Sequence, residues 1–432
     1  MLHKILSTTG TRLLNAFSGI VILWIATNEL GKAAWGTAGI ILLDITLILL
    51  VIELMAGSGL VYFSSRYSLK SLIKISYSWM LLVIAFTTLI FGLLSFFPEI
   101  YQLVIPQGYG LHILALSLIN ALHGINMNVL LGKKKITAFN SLFVLQFGLQ
   151  LLSFTGFVYL MQLKDERAFI YALYVAYAVP AMTGWLILAP FFKERNGPNA
   201  IATPRIILNY GSMTQLSSIA HMINKRLSYY FLKSLSGIGS VGIYNSGVQL
   251  SEGLRLIGQS ISLVQFSEIS NSKDDQASAR LSIVLLKFAV GLTALALLVL
   301  IAIPQVVFEW VFSKEFGEIK IVIISLAPGV IALAANTIFS HYFSGTGQPR
   351  YNLIASLSGL AVTVPALILL IPAYGLIGAG LSASLAYAAA VIYQLVVFKR
   401  ITQTAFKSFL ITKEDLMLLR KIRFSILSII FV

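Results

Sequence analysis

Short polar breaks divide this sequence into apolar runs, each as long as a membrane helix requires, about 20 residues. Twelve runs are read: 13–30, 35–62, 75–97, 108–131, 137–161, 168–192, 206–232, 238–267, 281–304, 319–344, 350–371 and 375–398. They are continuous and not alternating, so helices are expected in place of barrel strands. Twelve helices use about 240 residues. The rest of the 432 residues leave only short connections and no sizeable soluble domain. Composition agrees, with 58% hydrophobic and 11% charged residues and a mean hydropathy of +0.88. A soluble domain carries about 45–50% apolar and about 25% charged residues. These values exclude a disordered chain, a coiled coil, a disulfide scaffold and a water-soluble enzyme. The first run follows only Lys4 and Arg12 and precedes eleven more, so it reads as an uncleaved span.

The formal charge of +15 would suggest nucleic acid in a soluble protein. Here it is explained by the basic cytoplasmic loops of membrane proteins, and no nucleic-acid partner is expected. With the N-terminus inside, the inner segments hold 22 of the Lys and Arg residues and the outer segments 6. That ratio predicts both termini in the cytoplasm. The basic tail, 401–432, ends in the apolar run Phe424 to Val432, too short to span; it reads as an interfacial segment on anionic lipid.

A weak internal repeat is visible. Trp35-Gly36-Thr37-Ala38-Gly39-Ile40 opens the second span, and Ile238-Gly239-Ser240-Val241-Gly242-Ile243 the eighth, an offset of 203. The fourth and tenth spans both end in a glycine turn with basic residues. The expected fold is therefore an all-α polytopic membrane protein, about 12 transmembrane helices in two six-helix lobes (1–200 and 201–400) around a central cavity. Because six is even, the lobes are parallel repeats.

The informative residues are those that are expensive to place in lipid. Each central Arg, Lys or Asp costs roughly 2.5–3.5 kcal/mol on insertion scales. Lys225, Arg226 and Arg255 fall inside spans. In the eighth span Asn245, Gln249, Glu252, Arg255, Gln259 and Ser262 fall within an arc of roughly 140°. Such a stripe predicts a wet cavity wall, although a buried Glu252–Arg255 pair at i, i+3 would also explain part of it. In the seventh span Thr214, Ser218, His221 and Lys225 share a face; a hydrogen-bonded histidine accounts for His221 more readily than a proton relay. The offset maps Glu53 to position 256, inside the polar arc, and Asp44 to 247, outside it. Glu53 is thus expected to line the cavity and Asp44 to be an interhelical partner. Glu53 or Glu252 could carry a proton. Arg12 stands at the cytoplasmic mouth of the first span, placed to meet an anionic headgroup or to anchor the helix.

No G-x-x-x-x-G-K-[ST], H-E-x-x-H or C-x-x-C motif is present, and there is no cysteine. No metal site and no cofactor is expected, and a transporter fits better than an enzyme; coupling to H+, to Na+ or to a downhill gradient stays open.

With Val241-Gly242-Ile243-Tyr244-Asn245, Arg205-Ile206-Ile207-Leu208-Asn209-Tyr210-Gly211 and the turn Gly345-Thr346-Gly347-Gln348, the chain resembles the polysaccharide-unit flippases (O-antigen and capsule exporters) of the multidrug/oligosaccharidyl-lipid/polysaccharide superfamily. The resemblance implies two lobes around a V-shaped cavity, alternating access, and a polyprenyl-diphosphate-linked glycan as substrate, carried from the cytoplasmic to the periplasmic leaflet. It implies that Lys225, Arg226 and Arg255 meet the lipid diphosphate, and that other polysaccharide-assembly proteins are partners. A cation-coupled multidrug antiporter of the same fold is the alternative.

Overall fold

The computed structural model describes residues 2–64, 66–133, 135–193, 201–255, 258–259, 261–262, 265, 269 and 274–409. Among them every regular element is a helix. The first lobe contains α1 (Leu2–Ile25), α2 (Gly31–Ala56), α3 (Ser58–Phe63), α4 (Leu69–Leu94), α5 (Pro98–Val104), α6 (Gly110–Gly132), α7 (Ile136–Tyr159) and α8 (Glu166–Leu188). The second contains α9 (Pro204–Ser236), α10 (Ile238–Gly253), α11 (Asp275–Ala302), α12 (Gln305–Phe312), α13 (Ile319–Gly345) and α14 (Arg350–Thr402). α14 is two spans, broken where Gly375 leaves helical geometry at φ 53°, ψ −121°. With α3, α5 and α12 as short pieces, the architecture is the expected twelve spans in two six-helix lobes.

Ten of the twelve spans lie in stretches long and apolar enough to cross a membrane by themselves. The other two are α9, which carries Lys225 and Arg226, and α10, whose described part is 16 residues long. Elsewhere the outward faces suit acyl chains: Leu81, Leu82, Phe86 and Leu89 on α4 are all exposed, as are Leu295 and Leu298 on α11. Helix starts follow local chemistry. Asp165 caps α8 by accepting from the Arg167 amide (3.0 Å), and Asp274 caps α11 by accepting from the amides of Gln276 (2.9 Å) and Ala277 (3.0 Å). Pro98 and Pro204 open α5 and α9, where a missing N–H costs nothing.

The lobes meet where α2 crosses α10, with α9 packed beside both. The crossing is a backbone-to-backbone contact. A Cβ on Gly36 would stand 2.1 Å from the Ile238 carbonyl oxygen, and one on Gly242 2.1 Å from the Lys32 carbonyl oxygen. These contacts are reciprocal, and they set the repeat. Gly242 and Ile238 are the counterparts of Gly36 and Lys32, an offset of 206 in both cases. Gly31 (φ 79°) and Gly237 (φ 84°), which turn the chain into α2 and α10, differ by the same number, as do Pro98 and Pro304 ahead of α5 and α12.

The register of 203 expected from sequence is therefore corrected to 206. A Gly-x-x-Gly pattern matches itself when slid by three residues, and a three-residue slide moves a helix by nearly one turn. Glu53 now falls opposite Gln259, Asp44 opposite Leu250, and Thr46 opposite Glu252.

Further ties hold the same end of the bundle. Lys233 at the end of α9 donates through Nζ to the carbonyls of Gln102 and Leu103, closing the C-terminus of α5 in the other lobe. Asn28 donates through Nδ2 to the Val311 carbonyl in α12 (2.8 Å), and the Lys32 amide donates to Glu315 Oε2 (3.2 Å). Each lobe thus caps a short helix of its partner.

Candidate functional site

Below the crossing, α2, α9 and α10 diverge enough to leave a cavity of about 200 Å³ between the lobes. Gly39, Leu42, Leu43 and Thr46 form the first-lobe wall. Met222, Arg226, Tyr229, Asn245 and Gln249 form the second-lobe wall. One wall is apolar with a single hydroxyl; the other carries the polar groups. Arg226 is the one charged residue among those that line the cavity. A larger recess of about 490 Å³ lies within the second lobe, between α11, α13 and α14. Its lining holds Asp275 and no cation, so size does not decide where an anion would go.

Arg226 and Lys225 follow each other on α9, about 100° apart, so they cannot share a direction. Arg226 turns to the cavity, its side chain 23% exposed. Its guanidinium lies over the Tyr229 ring, 5.1 Å from the centroid, and donates to the Tyr229 hydroxyl. Tyr229 in turn donates to Asn245 Oδ1 (3.0 Å), which fixes both side chains in that wall. Asn245 Nδ2 is buried without a hydrogen-bond partner.

Lys225 turns the other way, into the lobe, and its Nζ stands 2.5 Å from Glu252 Oε2. Both side chains are at or below 10% exposure. The Tyr387 hydroxyl of α14 donates to Glu252 Oε1 (3.3 Å), and Arg226 reaches Glu252 Oε2 at 4.0 Å. His221 sits one turn before Lys225, its ring 6.3 Å from that of Tyr387. Arg255 is near enough for its charge to act on Lys225, His221 and Glu252. The ion pair is thus not the Glu252–Arg255 pair that the i, i+3 spacing offered. Glu252 bridges from α10 to α9, because a short carboxylate on one helix meets a long ammonium on its neighbour more directly than a residue one turn along.

The remaining expected residues are spread more widely. Glu53 is exposed and accepts from Gln215 Nε2 of α9 (3.1 Å), about two turns beyond Thr46. Asp44 is buried and accepts from the Tyr230 hydroxyl across the lobe interface (2.5 Å). Gln259 continues the α10 line past Glu252; its carbonyl accepts from Ser262 (3.0 Å), and the cavity wall stops short of it at Gln249. Arg12 belongs to α1, but its side chain lies outside the described residues, as does that of Thr214; the tail beyond 409 does too.

Tyr229, Tyr387 and Thr46 did not stand out in the sequence. Tyr229 follows Arg226 by three residues, a spacing that faces it on a helix. Nothing near Tyr387 marks it, since its role depends on α14 folding back against α9 and α10.

No family model and no curated protein matches the sequence. Solved structures share its fold. The inward closed form of the lipid II flippase MurJ superposes with a TM-score of 0.67 at 17% identity, over 98% of this chain and 93% of that one. The inward-facing form of a multidrug resistance MATE family transporter of the MOP superfamily gives 0.65 at 15% identity, over 93% and 99%. A MOP superfamily transporter from Pyrococcus furiosus, described as having a binding pocket of reverse polarity, gives 0.59 at 15% identity, over 93% and 94%.

Proposed function

We propose that this protein is a flippase for polyprenyl-diphosphate-linked oligosaccharides, working by alternating access between its two lobes in a bacterial inner membrane, with both termini cytoplasmic. Membership of the transporter fold seen in MurJ and the MATE proteins supports translocation over catalysis. The observation that carries the substrate class is Arg226, a guanidinium facing an inter-lobe cavity with Asn245 and Gln249 beside it. Fixed donors in a low-dielectric cleft suit a diphosphate through charge-assisted hydrogen bonds. A cationic drug would meet repulsion there.

Cavity size adds a constraint. About 200 Å³ is below the usual range for even a drug-sized ligand, about 300–1,000 Å³. It admits a headgroup and no glycan. The glycan therefore requires the lobes to part, while Leu42, Leu43 and Met222 offer apolar surface beside the anion. Anionic lipids at the basic face and other polysaccharide-assembly proteins are the partners this reading implies. No resident cofactor is needed, and an H+ gradient, an Na+ gradient or the substrate's own downhill gradient would drive the cycle.

The test is complementation of a bacterium that lacks its own polysaccharide flippase. Joint neutralisation of Lys225, Arg226 and Arg255 should abolish surface glycan while the protein still reaches the membrane. Normal surface polysaccharide in that variant would overturn the proposal. Resistance to cationic dyes without any glycan export would favour the multidrug antiporter.

A further inference from the structure

We propose that Glu252 is the internal counter-anion of the cavity, competing with the substrate's diphosphate for Arg226 and so setting how tightly the headgroup is held and how fast it leaves. This rests on the reading that the cavity receives an anionic headgroup.

The geometry is asymmetric. Glu252 Oε2 is held 2.5 Å from Lys225 and only 4.0 Å from Arg226, while its Oε1 accepts from Tyr387 at 3.3 Å. The groups facing it are Lys225, Arg226 and His221 from α9, Arg255 just past the end of α10, and Tyr387 from α14. Lys225 does not line the cavity; it anchors the carboxylate behind the wall. Arg226 lies between the anchored carboxylate and the cavity, shared by the two. An anion entering the cavity approaches a guanidinium whose field Glu252 has already partly cancelled. A cavity with three cations and no counter-anion would bind a diphosphate tightly and release it slowly, which stalls a transporter. Lys225 is therefore a positioning residue: it keeps Glu252 from closing on Arg226.

This arrangement makes a prediction that a merely structural ion pair does not. Lys225→Gln frees Glu252 to move onto Arg226, so anion binding weakens although Lys225 never touches the ligand. Glu252→Gln in that background removes the competitor and restores binding.

The experiment uses the full chain in lipid nanodiscs with farnesyl diphosphate as the probe and farnesol as the uncharged control. Binding affinity and off-rate are measured for wild type, Arg226→Gln, Lys225→Gln and Lys225→Gln/Glu252→Gln. Wild type should bind the diphosphate, and Arg226→Gln should lose at least about tenfold in affinity. The double variant should bind at least about tenfold tighter than Lys225→Gln and release more slowly, with farnesol unchanged. If Lys225→Gln does not fold, the double variant, which leaves no unpaired buried carboxylate, is compared with wild type and should bind at least as tightly. A double variant weaker than wild type in that comparison, or no tighter than Lys225→Gln, overturns the competitor role while leaving the anionic cavity standing. Binding that is absent throughout, or indifferent to Arg226→Gln, removes the anionic-substrate reading and the inference with it.

Discussion

Gly242→Ala tests the α2–α10 crossing as the seal between the lobes. The new methyl would lie 2.1 Å from the Lys32 carbonyl oxygen, where ordinary contact begins at 3.4 Å, so the helices must part by about 1.3 Å. Overpacking of this kind costs about 1–3 kcal/mol. At 1.4 kcal/mol per factor of ten, that favours the parted arrangement by about 5- to 150-fold. Gly36→Ala creates the reciprocal clash with Ile238. One rigid movement relieves both, so the double variant should cost little more than either single one. Thermal stability alone is a poor readout, because alanine also favours a helix by about 1 kcal/mol over glycine. Accessibility is better. The chain has no cysteine, so Thr46→Cys in the cavity wall is a unique probe. In oriented vesicles an impermeant maleimide, added from the side of the Gly31 and Gly237 turns, should label it at least about fivefold faster in each alanine variant. Unchanged labelling, or effects that multiply in the double variant, would refute the crossing as a shared seal.

Three other outcomes follow from the same contacts. Joint removal of the reciprocal caps, Asn28→Ala with Lys233→Ala, should raise Thr46→Cys labelling from that same side; labelling that stays at the parent rate would mean the caps only tidy helix ends. Lys225→Gln leaves Glu252 buried beside only the more distant cations Arg226 and Arg255 and should destabilise the protein by about 3–5 kcal/mol, measured as a fall in melting temperature in detergent. Asp165→Ala removes the cap of α8 and should cost about 1 kcal/mol at neutral pH. The neighbouring Arg167 side chain holds the Asp165 carboxyl below its ordinary range. A depressed folded-state value means this contribution is present above the unfolded-state carboxylate range and is lost as pH falls through the folded one. Melting temperatures of wild type and Asp165→Ala should therefore converge in acid, and a gap that widens there would contradict the assignment.

Much of this molecule could be read from order alone. Apolar runs of bilayer length dictate spanning helices, because lipid offers no partner for a bare backbone N–H or C=O. The polar residues of α9 and α10 were visible too, among them Arg226, which now faces the cavity. The glycine motifs were visible as well, and so was a repeat of about half the chain length. The register was not, since glycines three apart align equally well one turn away. Partners across helices were hidden for the same reason. Sequence spacing ranks neighbours along one helix, so it offered Glu252 to Arg255; packing of α9 against α10 gave it to Lys225 and turned Arg226 outward alone. Periodicity dictates which face of a helix is polar. Only the tertiary fold decides what that face meets, because the rotation of each helix is set by the close approach of backbones at Gly36 and Gly242, a contact that no local pattern specifies.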